Sequence, residues 1–372
     1  MKKISDNIQI IIFMSTIIGF MVFMFVMPDK DFSEQENRVL SAAPTVTVEG
    51  LKTAEFMKEL ESYLTDQFPL RDNWISMKSY SERIIGKTEN NGAFFCKDDT
   101  LIGKFNKPDA SLIDANVDAI NAFVDSTDVP VYFSLIPGAV SVWEEKLPAN
   151  AQNYDQKKFI EEIYSKIDCD TVDNYTVLDE HDEEYIYYRT DHHWTSLGAY
   201  YGYTAVADAL GFEPKDISGY EKKTVSKEFF GTIYSSSGVR WVEPDVMDIY
   251  VSDENKKVEN YVGKNATEGI FYNYDKLEIK DKYTFFFGGN APLVKVTSDC
   301  DNGKKLLVIR DSYSDCEVPF LSEHYSEIYM MDLRYYKFGV KSFLEENDID
   351  EVIINYSVAN FSEDKNIVLL GV

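Results

Sequence analysis

Leu306-Leu307-Val308-Ile309-Arg310-Asp311-Ser312-Tyr313 is an unbroken apolar run that stops abruptly on polar residues. Continuous rather than alternating hydrophobicity is what a parallel strand buried on both faces requires. Runs of the same kind occupy 129–136, 328–331 and 351–355, and together with 305–309 they predict four buried strands. Helical patterns at 110–124, 157–167 and 196–210 lie between them, the last closed by Gly211. Strands alternating with helices predict a doubly wound α/β layer with a mostly parallel sheet. In such a sheet ligands bind beyond the carboxyl ends of the strands, which is where Ser312 stands.

A serine at that place needs an adjacent base to become a nucleophile. The chain has four histidines, His181, His192, His193 and His324, so any imidazole chemistry must use one of them. His192 and His193 lie in Arg189-Thr190-Asp191-His192-His193-Trp194, after the aromatic run 185–188 and before the helix at 196–210. In an extended segment residues i and i+2 point the same way, so Asp191 and His193 share a face and His192 takes the other. A carboxylate beside an imidazole fixes its tautomer and stabilises the imidazolium. The same pair also suits a structural hydrogen bond anchoring the following helix. A metal site drawn from His181, Asp182, Asp191, His192 and His193 is a third reading, without regular ligand spacing to support it. His324 is a second-choice base. Ser312 itself could simply cap a turn. Arg189 and Arg310 suit either an anionic group or an ion pair, and Trp194 either the core or a substrate platform. Gly-x-Ser-x-Gly, phosphate-loop, dinucleotide and His-Glu-x-x-His motifs are all missing from the sequence.

The formal net charge of −27 argues against nucleic acid as a partner, because phosphate recognition needs a basic surface. Cys96, Cys169, Cys300 and Cys316 form no Cys-x-x-Cys pair, so a structural zinc site is not expected, and no metal or cofactor is assigned. Their even number permits disulfides, with Cys300 and Cys316 the nearest pair. Residues 8–27 are apolar and long enough to cross a bilayer, with Lys2 and Lys3 before them and Asp29-Lys30-Asp31 after. The positive-inside rule places the rest of the chain outside the cytoplasm. An uncleaved anchor is favoured over a signal peptide, since no small-x-small site follows the run directly. The expected organisation is an anchor at 1–30, a linker, helical pair and hairpin at 31–105, and an α/β domain at 106–372 with an inserted lobe at 213–300.

The Thr190-Asp191-His192-His193-Trp194-Thr195 block resembles the signature of the bacterial DHHW protein family. That family is similar to the SGNH-hydrolase-like domains of alginate O-acetyltransferase accessory proteins, which carry Asp-x-His-Trp. Residues 32–38, 68–72, 135–137, 311–313 and 332–336 share the resemblance. It implies an SGNH-hydrolase-like three-layer α/β/α sandwich, preceded here by the transmembrane helix. It further implies Ser312 as nucleophile, His193 as base and Asp191 as its orienting carboxylate. The order Asp-x-His before Ser matches the permuted alginate relatives, and Arg310 stands where Gly-Asp-Ser has glycine. Substrate or oxyanion candidates are Gly288, Gly289, Asn290, Asn355, Arg310 and Trp194. The implied activity is O-acetylation or deacetylation of a cell-surface polysaccharide, with an integral-membrane acyltransferase as acetyl source. A catalytically inactive glycan-binding component of a modification complex is the alternative.

Overall fold

The computed structural model describes residues 2–252 and 255–371, with side chains from Asn7 onward. It divides into two compact units: residues up to Lys87 together with Gly238–Arg240, and the remainder from Thr88. The boundary places the hairpin of Ala93–Phe95 and Leu101–Gly103 in the second unit.

In the first unit a helix runs over Lys2–Val26. Its Asn7–Val26 segment has a mean hydropathy of 2.4 and none of it is buried. Two amphipathic helices follow, Glu55–Asp66 and Arg71–Ile84. The polar stretch read as a linker is held in place. The buried carboxylate of Asp66 accepts from the Arg38 guanidinium at 3.0 Å and from the Ser41 amide at 2.9 Å.

The second unit is built on an eight-stranded sheet, whose strands we number in chain order: β1 Val131–Ile136, β2 Asp170–Val172, β3 Lys256–Val262, β4 Asn265–Glu268, β5 Leu293–Ser298, β6 Lys305–Arg310, β7 Glu327–Met331 and β8 Glu351–Ser357. The spatial order is β4-β3-β5-β7-β6-β8-β1-β2. From β7 to β2 the strands are parallel, and β5, β3 and β4 extend the sheet in antiparallel fashion. The four strands expected from apolar runs are thus the sheet's centre. The 213–300 region, read as a lobe, supplies the three antiparallel strands and a hairpin of Glu221–Phe229 with Asp245–Val251. These strands were not legible because their exposed positions break the apolar runs.

Helices Ala110–Asp125, Val340–Asn347 and Val358–Glu363 form one covering layer with the turn Ile367–Gly371. Asn174–Asp179, Ser196–Leu210 and Val318–Leu321 form the other. Thr195 caps the Ser196–Leu210 helix through the Gly198 amide at 3.2 Å, and Gly211 ends it in the left-handed region. Inside it, Gly202 is needed for close approach: a Cβ there would lie 2.5 Å from the Trp194 ring. All four cysteines are free thiols, so the Cys300–Cys316 disulfide does not form.

Candidate active site

Strand β6 ends at Arg310, and the chain turns at once into a single 3₁₀ segment, Ser312–Cys316, capped by Asp311. The cap is strongly determined. The Asp311 carboxylate accepts from the Tyr313 amide at 2.9 Å, the Ser357 amide at 2.8 Å, the Ser357 hydroxyl at 2.7 Å and the Asn360 amide group at 2.7 Å. It thereby ties the loop after β6 to the end of β8 and fixes the height of Ser312 above the sheet. As the first residue of that turn, Ser312 has an N–H with no acceptor inside the turn.

The Arg189–Trp194 loop is built as firmly. The buried Asp245 carboxylate accepts from the amides of Arg189 and Thr190 at 2.9 and 2.8 Å and from the hydroxyls of Thr190 and Tyr185. Beyond it, Asp191 accepts from the His193 amide at 3.0 Å on one oxygen and from the Thr232 amide at 2.7 Å on the other. Gly231 has to be glycine here, because a Cβ would overlap the Asp191 side chain.

The two loops meet at Ser312 and Tyr313. His193 Nε2 lies 2.8 Å from Ser312 Oγ, and His193 Nδ1 lies 2.6 Å from Asp191 Oδ1. The Trp194 indole donates to the Tyr313 carbonyl at 2.9 Å, and the Tyr313 hydroxyl donates to the His192 carbonyl. Asp191 and His193 are buried, while Ser312 is half-buried. Burial pushes the Asp191 carboxyl up, but the neighbouring imidazoles and the hydrogen bonds from His193 and Thr232 outweigh it and hold the group well below the usual carboxylate range. An ionised carboxylate on Nδ1 demands the proton there, which leaves Nε2 free to accept from the serine.

Other residues singled out in the sequence stand elsewhere. Arg310 is fully buried and paired with Asp315 at 2.9 Å, and Asn355 is fully buried with its amide group on Glu317 at 2.6 Å and Ser314 at 3.0 Å. Trp194 is fully buried against Gly202. Gly288 and Gly289 sit in a left-handed turn after Phe287, with Asn290 exposed, and make no hydrogen bond to Ser312. Arg189 donates to the Pro244 carbonyl at 2.8 Å. His324 pairs with the Tyr203 hydroxyl at 2.6 Å, and His181 with Glu184 at 2.7 Å, so neither joins Ser312. Asp191, His192 and His193 offer metal-ligand atoms all within 4.8 Å of one another. Using His193 as a ligand would take a ring nitrogen already engaged by Asp191 or Ser312.

Several contributors were not singled out. Tyr283 lies flat on the His193 ring and donates to the Ser312 carbonyl at 3.1 Å. Thr232 supports Asp191 and also meets His192 Nδ1 at 2.7 Å. Arg334, held on Asp332 by bonds of 2.9 and 2.7 Å, acts electrostatically on both His192 and Asp311. With Asp311, Tyr356 and Asn360 it lines a cleft of about 310 Å³. Tyr283 and Thr232 come from segments without motif spacing, and Arg334 from a stretch that carried only the resemblance.

A family model described as DHHW protein matches residues 87–331, a span that includes the Asp191–Trp194 block and Ser312. The chain belongs to the DHHW protein family. A DHHW family protein from Eubacterium siraeum DSM 15702, known from its crystal structure, is 25% identical with a TM-score of 0.66, covering 76% of this chain and 95% of that one. PatB1 from Bacillus cereus, solved with a sulfonyl adduct, is 20% identical with a TM-score of 0.61, covering 73% of this chain and 96% of that one. A further PatB1 structure gives 20% identity, a TM-score of 0.60, and coverage of 73% and 97%. At that identity the PatB1 likeness concerns the fold, and this DHHW protein has the expected SGNH-like α/β/α arrangement. No curated protein matches the sequence significantly.

Proposed function

We propose that this DHHW protein is an extracytoplasmic serine acyl-transfer enzyme that adds acetyl groups to, or removes them from, a cell-surface polysaccharide. The observation that carries the reading is the continuous relay from Ser312 Oγ through His193 to Asp191, with bonds of 2.8 and 2.6 Å. Ser312 Oγ attacks the acyl carbonyl of the donor while its proton passes to His193 Nε2. The donor's C–O bond then breaks, its oxygen takes that proton, and the acetyl group remains on Ser312. An acceptor hydroxyl next gives its proton to His193 and attacks the acyl-enzyme, forming the new ester and returning the proton to Ser312. With water as acceptor the same steps amount to ester hydrolysis. The Ser312 N–H, which has no acceptor inside its turn, is the first oxyanion donor.

The polysaccharide acceptor and the membrane acyltransferase that would supply acetyl groups rest on the sequence resemblance. The Asn7–Val26 helix supports a membrane-anchored location with the second unit outside the cytoplasm.

The test is intact-mass analysis after exposure to an activated acetyl ester. The expected result is an adduct of about 42 Da on Ser312 that disappears in Ser312→Ala and His193→Ala and persists in the presence of a chelator. Folded protein with neither adduct nor turnover would overturn the reading and leave a glycan-binding component whose relay is structural.

A further inference from the structure

We infer that the helical pair Glu55–Asp66 and Arg71–Ile84 is an in-plane membrane element whose apolar groove is filled by acyl chains of the outer leaflet. The inference rests on reading Asn7–Val26 as a bilayer span.

Sequence pattern and exposure disagree in this pair. Met57 and Leu64 on the first helix, Trp74 and Met77 on the second, and Phe68 and Leu70 in the turn between them are apolar, yet each is 41% to 60% exposed. A monomeric soluble protein does not ordinarily leave so large a contiguous apolar patch to water. Met57, Leu64, Phe68 and Trp74, with Leu60 and Ile75, line a groove of about 820 Å³.

What covers the groove follows from how the pair is tied to the span. Just beyond the span, the Lys30 amide donates to Gln67 Oε1 at 3.0 Å, and Gln67 Nε2 returns a bond to the Lys30 carbonyl at 2.9 Å. The Tyr63 hydroxyl donates to Asp29 at 3.0 Å. These bonds set Tyr63 and Gln67 at the level where the span ends. From there the chain reaches back along the span: Phe20 stacks on Phe68 with centroids 5.5 Å apart and leans on Trp74 at 5.8 Å. Phe20 precedes the end of the helix at Val26 by about 9 Å at 1.5 Å per residue. The Phe68–Trp74 turn therefore occupies the depth of the outer leaflet's upper acyl region, where hydrocarbon is the medium that meets its exposed side. A tryptophan at that depth, with its indole N–H satisfied by the Pro69 carbonyl at 3.2 Å, suits the bilayer interface.

The test reconstitutes the full chain into phosphatidylcholine vesicles whose acyl chains are brominated either near the headgroup or near the chain terminus. Trp143 and Trp194 are buried, so a Trp241→Phe background leaves Trp74 as the accessible tryptophan. Retention of the protein after alkaline extraction is measured in parallel. The expected result is retention together with quenching by the shallow bromines, weaker quenching by the deep ones, and loss of both on Trp74→Phe. Retention without Trp74 quenching would overturn the inference while sparing the anchor, and would mean that another protein surface or a second copy shields the groove. Release on extraction would overturn the anchor reading and this inference with it.

Discussion

The phenol ring of Tyr283 lies face to face on the imidazole of His193, with centroids 3.7 Å apart and planes 6° from parallel. The ring comes from a 3₁₀ turn, Lys282–Phe285, in the region that looked least regular in the sequence. On its other edge the hydroxyl holds the Ser312 carbonyl at 3.1 Å and meets Cys316 Sγ at 3.2 Å. One side chain thus braces both the imidazole and the loop of the serine. Its phenol is pushed far up by burial, so it acts as a neutral donor.

Tyr283→Phe should keep the stack and lose only the hydroxyl's bonds, lowering kcat/KM for an acetyl ester by no more than about tenfold, one neutral hydrogen bond. Tyr283→Leu removes the flat surface and should cost about 100-fold, the scale of a misplacement near 1 Å. Equal losses in the two variants, with both folded, would show that the stack does not position His193.

Gly231→Ala tests the support of Asp191 from behind. The added methyl meets the Asp191 side chain itself, so either the carboxylate or the 229–232 backbone must move. The 2.6 Å bond to His193 then lengthens or tilts. Ester turnover should fall about 100-fold or more. A thermal melt accompanies the assay: activity lost at near-normal melting temperature is the expected pattern, and unchanged activity would exclude the role given to Asp191.

The turn that opens at Ser312 ends on a buried carboxyl, Glu317, that should make stability depend on pH. Burial pushes Glu317 up to about 8, opposed only in part by the Asn355 hydrogen bond and reinforced by Asp311. The folded protein therefore binds a proton that the unfolded chain releases near 4.5. That preference favours the fold fully below the unfolded value, and it is lost progressively as pH rises toward 8. Asp315, pushed up by burial to about 6 despite Arg310, acts in the same direction but is exhausted sooner. Asp191, held low, contributes the opposite way and only in acid. The melting temperature should hence decline between pH 6 and pH 8, and Glu317→Gln should flatten the decline. A slope unaltered by the substitution would assign it to other groups.

The fold was legible where burial is complete. Strand β6 has five fully buried residues in succession from Leu306 to Arg310, and the parallel strands β7, β8 and β1 share that character, so unbroken apolar runs revealed them. Asp191 and His193 were legible because their relationship is local, two residues on one extended segment. Their meeting with Ser312, 119 residues on from His193, came from the strand-end rule and the resemblance rather than from spacing. Tyr283, Thr232 and Asp245 were illegible for a plain reason. Each reaches the site from a separate segment as a single residue, and one tyrosine, threonine or aspartate carries no pattern. The antiparallel strands β3 and β4 escaped because they alternate lysine, glutamate and asparagine with few buried positions.

Asp311 is adjacent to the serine and acidic, so it invites a catalytic assignment, but its bonds point to a clamp. Both oxygens are spent on donors from β8, its following helix and the loop itself. Asp311→Asn substitutes a donor for one acceptor oxygen, opposing N–H and O–H groups that are themselves buried. Hydrogen bonds to a charged group are worth about 1.5–3 kcal/mol each; with the new amide nitrogen on the Oδ1 side, the Tyr313 amide loses its acceptor and the three bonds at Oδ2 lose their charge. The folded state should lose about 3 kcal/mol or more in urea unfolding. Turnover should fall too, because Ser312 is no longer held opposite His193. The clamp assignment further requires that loss in kcat rather than KM, with an unchanged pH profile. A full-stability Asp311→Asn protein with a displaced pH profile would instead place Asp311 within the proton-transfer chemistry.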